Sequence, residues 1–169
     1  MLAARILAVL TATASTGLAT IHYDAPPPNF AITSTQGTQY LSDLRGRVVI
    51  IDFWATWCHA CTAELSEFVR ARQTYGDRIA VVTISDERPE VAASYLRLWK
   101  IRLPLVEDME GRISSRYSVS KVPVTLVLDR TGAVSYVSVG GLSWDELSGA
   151  LERAGATSPA STPGPGVLQ

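Results

Sequence analysis

The chain has 169 residues, of which 47% are aliphatic or aromatic, and a formal net charge of −1 from 15 basic and 16 acidic residues. A chain of this length is expected to form one domain whose apolar core needs no disulfide cross-link to fold. Because charges of both signs are interspersed, the composition argues against a nucleic-acid-binding protein and against electrostatic attachment to a membrane surface.

Both ends of the chain are predicted to lie outside the folded domain. Residues 1–19 contain one basic residue, Arg5, then an apolar stretch and small residues. This is the layout of an export signal, either cleaved or kept as an N-terminal membrane anchor, with a frayed helix as the alternative. Residues 20–29 include three consecutive prolines and predict an extended linker, and the Pro/Gly/Ser/Thr-rich residues 156–169 predict a disordered tail.

The predicted domain, residues 30–155, opens with two short strands and then alternates between strands and helices. Apolar β-branched runs and turn signals predict four further strands, at residues 48–53, 79–84, 124–128 and 134–139. Only a short turn separates the last two strands, so they must be antiparallel. A short extended segment is expected at residues 103–106.

Helical spacing and end signals predict three main helices and one short one, at residues 59–75, 89–99, 112–117 and 143–155. Pro89 suits the first position of the second helix, and Ser143 with Glu146 forms a capping box at the start of the last. The element order predicts an α/β domain with a central mixed sheet, helices on both faces and an N-terminal β-hairpin extension.

The two cysteines of the chain, Cys58 and Cys61, lie in FWATWCHAC, directly after a predicted buried strand. A zinc site is disfavoured because only His22 and His59 could complete it. A purely structural disulfide would close a very short loop and remove little entropy from the unfolded chain. A redox pair fits better, since a helix N-terminus stabilises a thiolate at Cys58 and places Cys61 one turn deeper, where it can resolve a mixed disulfide.

Residues 47–61, RVVIIDFWATWCHAC, resemble the active-site strand and helix start of the thioredoxin superfamily, and FWATWCxxC followed by Glu64 is most similar to its TlpA/ResA-like branch. The stretch from Gly111 onwards, including VPVTLVLD, resembles the second half of the same fold. The resemblance implies an extracytoplasmic thiol–disulfide oxidoreductase, without metal or organic cofactor. It implies protein thiol or disulfide substrates such as apocytochrome c, a membrane electron-donor protein for recycling, and a monomer.

The resemblance also assigns further site residues. It implies a cis peptide bond at Pro123 that exposes the Val122 backbone to an extended substrate, where an ordinary trans proline is the alternative. Asp52, which interrupts a buried strand, would serve Cys61 as a base, or else be a solvated acid at a sheet edge. Glu64 would be a second functional acid, or else a surface charge near the helix start.

Trp57 and His59 are the remaining candidates for substrate binding. One tryptophan of Trp54 and Trp57 is expected to pack beneath the loop and the other to form an apolar docking surface, whereas Trp99 and Trp144 are expected to pack helices. A protonated His59 would favour the Cys58 thiolate and hence an oxidant, so the direction of electron flow stays open. Two other functions are alternatives: a peroxiredoxin-like peroxidase, for which Thr56 is poorly placed, and a non-catalytic binding or chaperone module.

Overall fold

The computed structural model describes residues 26–34 and 37–157. The predicted export segment, residues 20–25 of the predicted linker and residues 158–169 of the predicted tail lie outside these ranges. In the part of the chain that is described, no helix combines the length and the apolar character needed to cross a membrane.

Within these ranges the chain forms seven strands and four α-helices. The strands are β1 (Ala31–Ser34), β2 (Gly37–Tyr40), β3 (Val48–Phe53), β4 (Ile79–Ser85), β5 (Leu105–Glu107), β6 (Val124–Leu128) and β7 (Val134–Val139). The helices are α1 (His59–Tyr75), α2 (Pro89–Leu98), α3 (Arg112–Arg116) and α4 (Trp144–Arg153). These bounds differ from the predicted ones by at most two residues, so the predicted element order is confirmed.

Five strands form one mixed sheet in the order β5-β4-β3-β6-β7, and β1 pairs with β2 as a separate antiparallel hairpin. Strand β3 is parallel to β4 and antiparallel to β6, which in turn is antiparallel to β7. Every residue of β3 is buried, as expected for the central strand of a sheet covered on both faces. The predicted mixed sheet and N-terminal hairpin are therefore confirmed.

The alternation of side chains along β3 divides the core into two apolar layers. Val48 and Ile50 pack in one layer with buried residues of α1, α2 and α4, while Val49, Ile51 and Phe53 pack in the other with the first hairpin and with residues of and just after α3. Helices thus lie on both faces of the sheet. Asp52 has the same parity as Ile50, so its side chain points toward the face that α1 covers.

One packing prediction was wrong. Trp144 is half-buried, with the guanidinium of Arg70 3.9 Å from its ring centre, and links α4 to α1. Trp99, in contrast, is 62% exposed. Helix α2 ends at Leu98, and the backbone then turns at Lys100, where φ is +56°. Trp99 therefore does not continue the buried face formed by Ala92 and Leu96.

Candidate active site

A disulfide bond joins Cys58 and Cys61 at the point where the chain passes from β3 into α1. Cys58 is the N-cap residue of α1, and its Sγ accepts a hydrogen bond from the Cys61 N–H at 3.2 Å. Cys58 is 7% exposed and Cys61 is completely buried. An incoming sulfur can therefore approach Cys58 more readily than Cys61, as the predicted order of attack requires.

The peptide bond between Val122 and Pro123 is cis, so the predicted geometry is confirmed and the trans alternative is wrong. Pro123 is buried, and its carbonyl accepts a hydrogen bond from the Gly140 N–H at 3.0 Å. Val122 is half-buried, and its backbone forms no hydrogen bond with another backbone group in the described residues. The segment before β6 therefore keeps backbone groups that an extended peptide could pair with.

A groove of about 130 Å³ runs between the loop that carries Trp57 and the segment that carries Val122. Its apolar lining includes Phe53, Trp54 and Ile84. Trp54 is completely buried and Trp57 is 73% exposed, which confirms that the two tryptophans divide between core and surface. The lining of the groove also includes polar residues, and the exposed indole belongs to the residue directly before Cys58.

The two predicted acids are both buried, and the structure brings them together. Asp52 is 0% exposed on the central strand β3, and Glu64 is 1% exposed on α1, one turn beyond Cys61. Asp52 is thus not a solvated acid at a sheet edge, because β3 has a neighbour on each side. Glu64 is not a surface charge, because it lies on the buried face of α1 with Cys61 and Leu65.

Thr125 links the two acids and was missed by the sequence analysis. It is the antiparallel partner of Asp52 on β6 and is completely buried. Its hydroxyl lies 3.3 Å from Glu64 Oε1 and 3.5 Å from Asp52 Oδ1, while Asp52 Oδ2 and Glu64 Oε2 have no partner that meets hydrogen-bond limits. A hydroxyl has only one proton to donate, so the two acids are not both satisfied as carboxylates.

Burial raises the pKa values of both acids. For Asp52 burial is the main cause, the nearby Glu64 carboxylate adds to it, and the Thr125 hydroxyl partly offsets it, so the pKa stays well above its ordinary value of 3.8. For Glu64 burial raises the pKa from 4.5 to about 7, against smaller lowering effects of the Thr125 hydroxyl and the Leu142 backbone. The pair can therefore hold a proton near neutral pH.

A third acid, Glu87, lies on the other side of the cysteine loop and was also missed. Its Oε2 accepts a hydrogen bond from the Thr56 N–H at 2.6 Å, and its Oε1 accepts one from the Thr56 hydroxyl at 2.8 Å. Glu87 follows β4, and Thr56 is two residues before Cys58. No local pattern in the sequence indicates this contact, since it joins two loops that are 31 positions apart.

His59 is exposed at the first position of α1. Among the residues that the structure describes, no group of three His, Cys, Asp or Glu side chains is arranged to hold a metal ion. The site therefore consists of a cysteine pair, two buried acids behind it, and a loop, groove and cis-proline segment in front of it.

Comparison with known proteins places this arrangement in a family. The family model described as AhpC/TSA matches residues 24–137, about two thirds of the chain. The chain belongs to the AhpC/TSA family. Within the curated proteins this AhpC/TSA chain is 28% identical to Thioredoxin-like protein YneN of Bacillus subtilis over 74% of this chain and 76% of the relative. It is 26% identical to Thiol-disulfide oxidoreductase ResA of Bacillus cereus over 75% of each chain.

Solved structures confirm the thioredoxin-like fold of this AhpC/TSA protein. A putative thiol:disulfide interchange protein DsbE from Chlorobium tepidum superposes with a TM-score of 0.70 and 27% identity, over 76% of this chain and 94% of the other. The exposed lipoprotein thioredoxin Etrx1 from Streptococcus pneumoniae superposes with a TM-score of 0.61 and 26% identity, over 74% and 98%. The predicted similarity to ResA-like proteins is thereby confirmed.

Proposed function

We propose that this AhpC/TSA protein is a thiol–disulfide oxidoreductase that exchanges disulfides with exported proteins. The observation that supports the proposal most is the Cys58–Cys61 disulfide at the N-terminus of α1, with one sulfur at the surface side and the other completely buried. Its relatives include proteins named as thiol–disulfide oxidoreductases and thiol:disulfide interchange proteins. Both the disulfide in this protein and the names of its relatives support thiol–disulfide exchange.

In the reducing direction the cycle begins with both cysteines as thiols. The Cys58 thiolate attacks one sulfur of a substrate disulfide, forms a mixed disulfide and releases the other substrate sulfur as a thiolate. The Cys61 thiol then loses its proton and attacks Cys58 Sγ, which releases the second substrate thiolate. Two electrons pass to the substrate, which ends as a dithiol, and the enzyme ends with the Cys58–Cys61 bond.

We assign the proton transfers to the buried acids. Asp52 would accept the Cys61 proton during resolution, because it lies on β3 and points toward the face that α1 covers. Glu64 would exchange that proton with Asp52 across Thr125, since its pKa of about 7 lets it both take up and release a proton near neutral pH.

For substrate binding we assign Trp57, His59, Val122 and Pro123. An extended peptide would pair with the Val122 backbone as a short additional strand, while the exposed Trp57 indole would cover its apolar side chains. Pro123 would hold the Val122 backbone in this orientation through its cis bond. The exposed His59 would contact the substrate next to the reacting sulfur.

We place the protein outside the cytoplasm, secreted or held by its N-terminal segment. The layout of residues 1–19 supports export, and a relative of the same fold is an exposed lipoprotein thioredoxin. In that compartment apocytochrome c is a candidate substrate, a membrane electron-donor protein would restore the thiols, and the protein would act as a monomer. Neither a metal nor an organic cofactor takes part in the proposed cycle.

The two other functions have less support. A peroxidase would use a threonine hydroxyl close to the attacking cysteine. The Thr56 hydroxyl, however, donates its hydrogen bond to Glu87 Oε1. A binding or chaperone module without redox activity would not need a paired CxxC. Peroxide consumption by the reduced protein would support the first, and client binding that persists after both cysteines are replaced by serine would support the second.

The decisive experiment replaces Cys61 with serine in the native host. Cys61→Ser should trap substrates as stable disulfides on Cys58, because nothing remains to release them. Mass spectrometry of the trapped species would identify the substrates, and Cys58→Ser is the matched control. Equal trapping by both variants, or trapping by Cys58→Ser alone, would contradict the assigned roles.

A further inference from the structure

The contact between Glu87 and Thr56 lies two residues before the reactive Cys58 and takes no part in the proposed cycle. Both oxygens of the Glu87 carboxylate accept hydrogen bonds from the same residue, at 2.6 Å from the backbone N–H and 2.8 Å from the hydroxyl. Such charge-assisted contacts fix a carboxylate in position more firmly than neutral ones do. The negative charge of Glu87 is therefore held against the loop rather than free in solvent.

This charge is close to Cys58. The Cys58 N–H donates to the Ala55 carbonyl at 3.1 Å, which closes a turn over Thr56 and Trp57. The carboxylate is 2.6 Å from the Thr56 nitrogen, and two residues of even a fully extended chain span at most about 7 Å, so it lies within roughly 10 Å of the Cys58 nitrogen. The N-terminus of α1 favours a negative charge at Cys58, but a second negative charge close to it repels the thiolate. The Glu87 carboxylate therefore opposes ionisation of Cys58.

We propose that Glu87, held by Thr56, lowers the redox potential of the Cys58–Cys61 pair and so favours the transfer of electrons to the substrate. The inference rests on the proposed function and adds to it a bias in the direction of electron flow. Glu87 is not a catalytic residue: Thr56 holds its carboxylate in place, and the carboxylate acts on Cys58 through its charge. A fixed negative charge destabilises the thiolate of the reduced form but not the uncharged disulfide, so the equilibrium moves toward the disulfide and electrons pass to the substrate.

Other charged or titratable groups surround the same sulfur and set the background for this effect. His59 is on α1, Asp86 and Lys121 both line the groove, and Asp52 and Glu64 are buried behind the pair. A positive charge on His59 would favour the thiolate, in the opposite direction to Glu87. Substituting Glu87 leaves all five groups in place, so the change measured is its own.

The test is the equilibrium of the full chain with reduced and oxidised glutathione at pH 7, together with the alkylation rate of Cys58 as a function of pH. In Glu87→Gln the shape is kept and the charge is lost. Coulomb's law at roughly 10 Å and an effective dielectric constant of about 40 gives about a fourfold shift toward the dithiol. This corresponds to a potential about 18 mV higher, since tenfold is about 30 mV. The pKa of the Cys58 thiol should fall in parallel.

Two further variants keep the test decisive. Glu90→Gln removes the same charge from an exposed position at the start of α2 and should leave the equilibrium unchanged. Thr56→Val keeps the charge but removes one of the two bonds that hold it, so it should shift the equilibrium in the same direction by about twofold. Thr56→Val alone decides the matter if Glu87→Gln does not fold.

The outcomes separate this inference from the function on which it rests. If the wild-type protein exchanges disulfides with glutathione but Glu87→Gln leaves the equilibrium unchanged, or lowers the potential, the role of Glu87 is wrong and the oxidoreductase proposal stands. An equal shift in Glu90→Gln would also overturn it, because the effect would then not depend on the contact with Thr56. If the wild-type pair does not cycle at all, the proposed function itself is wrong.

Discussion

Two glutamates lie near the cysteine pair, and they differ in burial and in hydrogen bonding. Glu64 is buried behind the pair with one weak hydrogen bond from Thr125 and an unpartnered second oxygen. Glu87 is half-buried in front of the pair, and both of its oxygens accept short hydrogen bonds. The first arrangement favours a protonated acid that can exchange its proton. The second fixes a carboxylate in one position through two hydrogen bonds, so the two glutamates have different roles at the site.

The largest expected effect concerns the buried acids behind the cysteine pair. Asp52→Asn removes the proposed base, so resolution of a mixed disulfide by Cys61 should slow by about a hundredfold at pH 7. Rapid mixing of the reduced protein with a chromogenic disulfide separates the first release, by Cys58, from the second, by Cys61. The first release should change much less, and an unchanged second rate would remove Asp52 from the mechanism.

The sequence predicted the buried acids behind the cysteine pair better than the Glu87–Thr56 contact. The run VVIIDF predicts a strand buried on both faces, which favours a buried Asp52 over the alternative of a solvated acid at a sheet edge. Thr125 is likewise a polar residue inside an apolar run, VTLVL, so its burial could have been inferred, but the sequence analysis did not single it out. Glu64 lies three positions after Cys61, a spacing that puts both on one face of a helix, so its burial could also have been inferred.

The loop side could not be predicted in the same way. The contact between Glu87 and Thr56 depends on where the chain emerges from β4 relative to the turn before α1. The periodicity of apolar residues predicts which side chains face the core within strands and helices. It does not predict which residues of two separate loops meet at the edge of the sheet. The cis bond at Pro123 was predicted only through resemblance to a family, because the residues around it do not distinguish cis from trans.

The second prediction compares the two glutamates by stability. The folded-state pKa of Glu64 is raised from 4.5 to about 7, so the folded protein favours the protonated form. The stability that this proton supplies is complete below about pH 4.5 and is lost as pH rises to about 7. Relative to wild type, the oxidised Glu64→Gln variant should therefore gain about 3 kcal/mol of unfolding free energy between pH 4.5 and pH 8.

Urea denaturation at the two pH values measures this gain. At pH 8, Glu87→Ala should change stability in the opposite direction, with a loss of about 1 to 2 kcal/mol, because two hydrogen bonds to a charged group disappear. A loss in both variants at pH 8 would mean that Glu64 is stabilised as a carboxylate, and the contrast between the two glutamates would be wrong.

The smallest effect concerns the hydroxyl between the two acids. Thr125→Val removes a hydroxyl that lowers the pKa values of both Asp52 and Glu64. The Glu64 carboxyl should therefore titrate about one pH unit higher, as followed by carbon NMR of labelled glutamate. Thr83→Val is a matched control, because Thr83 is equally buried, pairs with Asp52 from the other neighbouring strand, and gives its hydroxyl proton to the Pro104 carbonyl at 2.8 Å. If both valine variants shift the titration equally, loss of polarity in the core would explain the result. A shift confined to Thr125→Val would mean that this hydroxyl joins Asp52 and Glu64 into one titrating unit behind the cysteine pair.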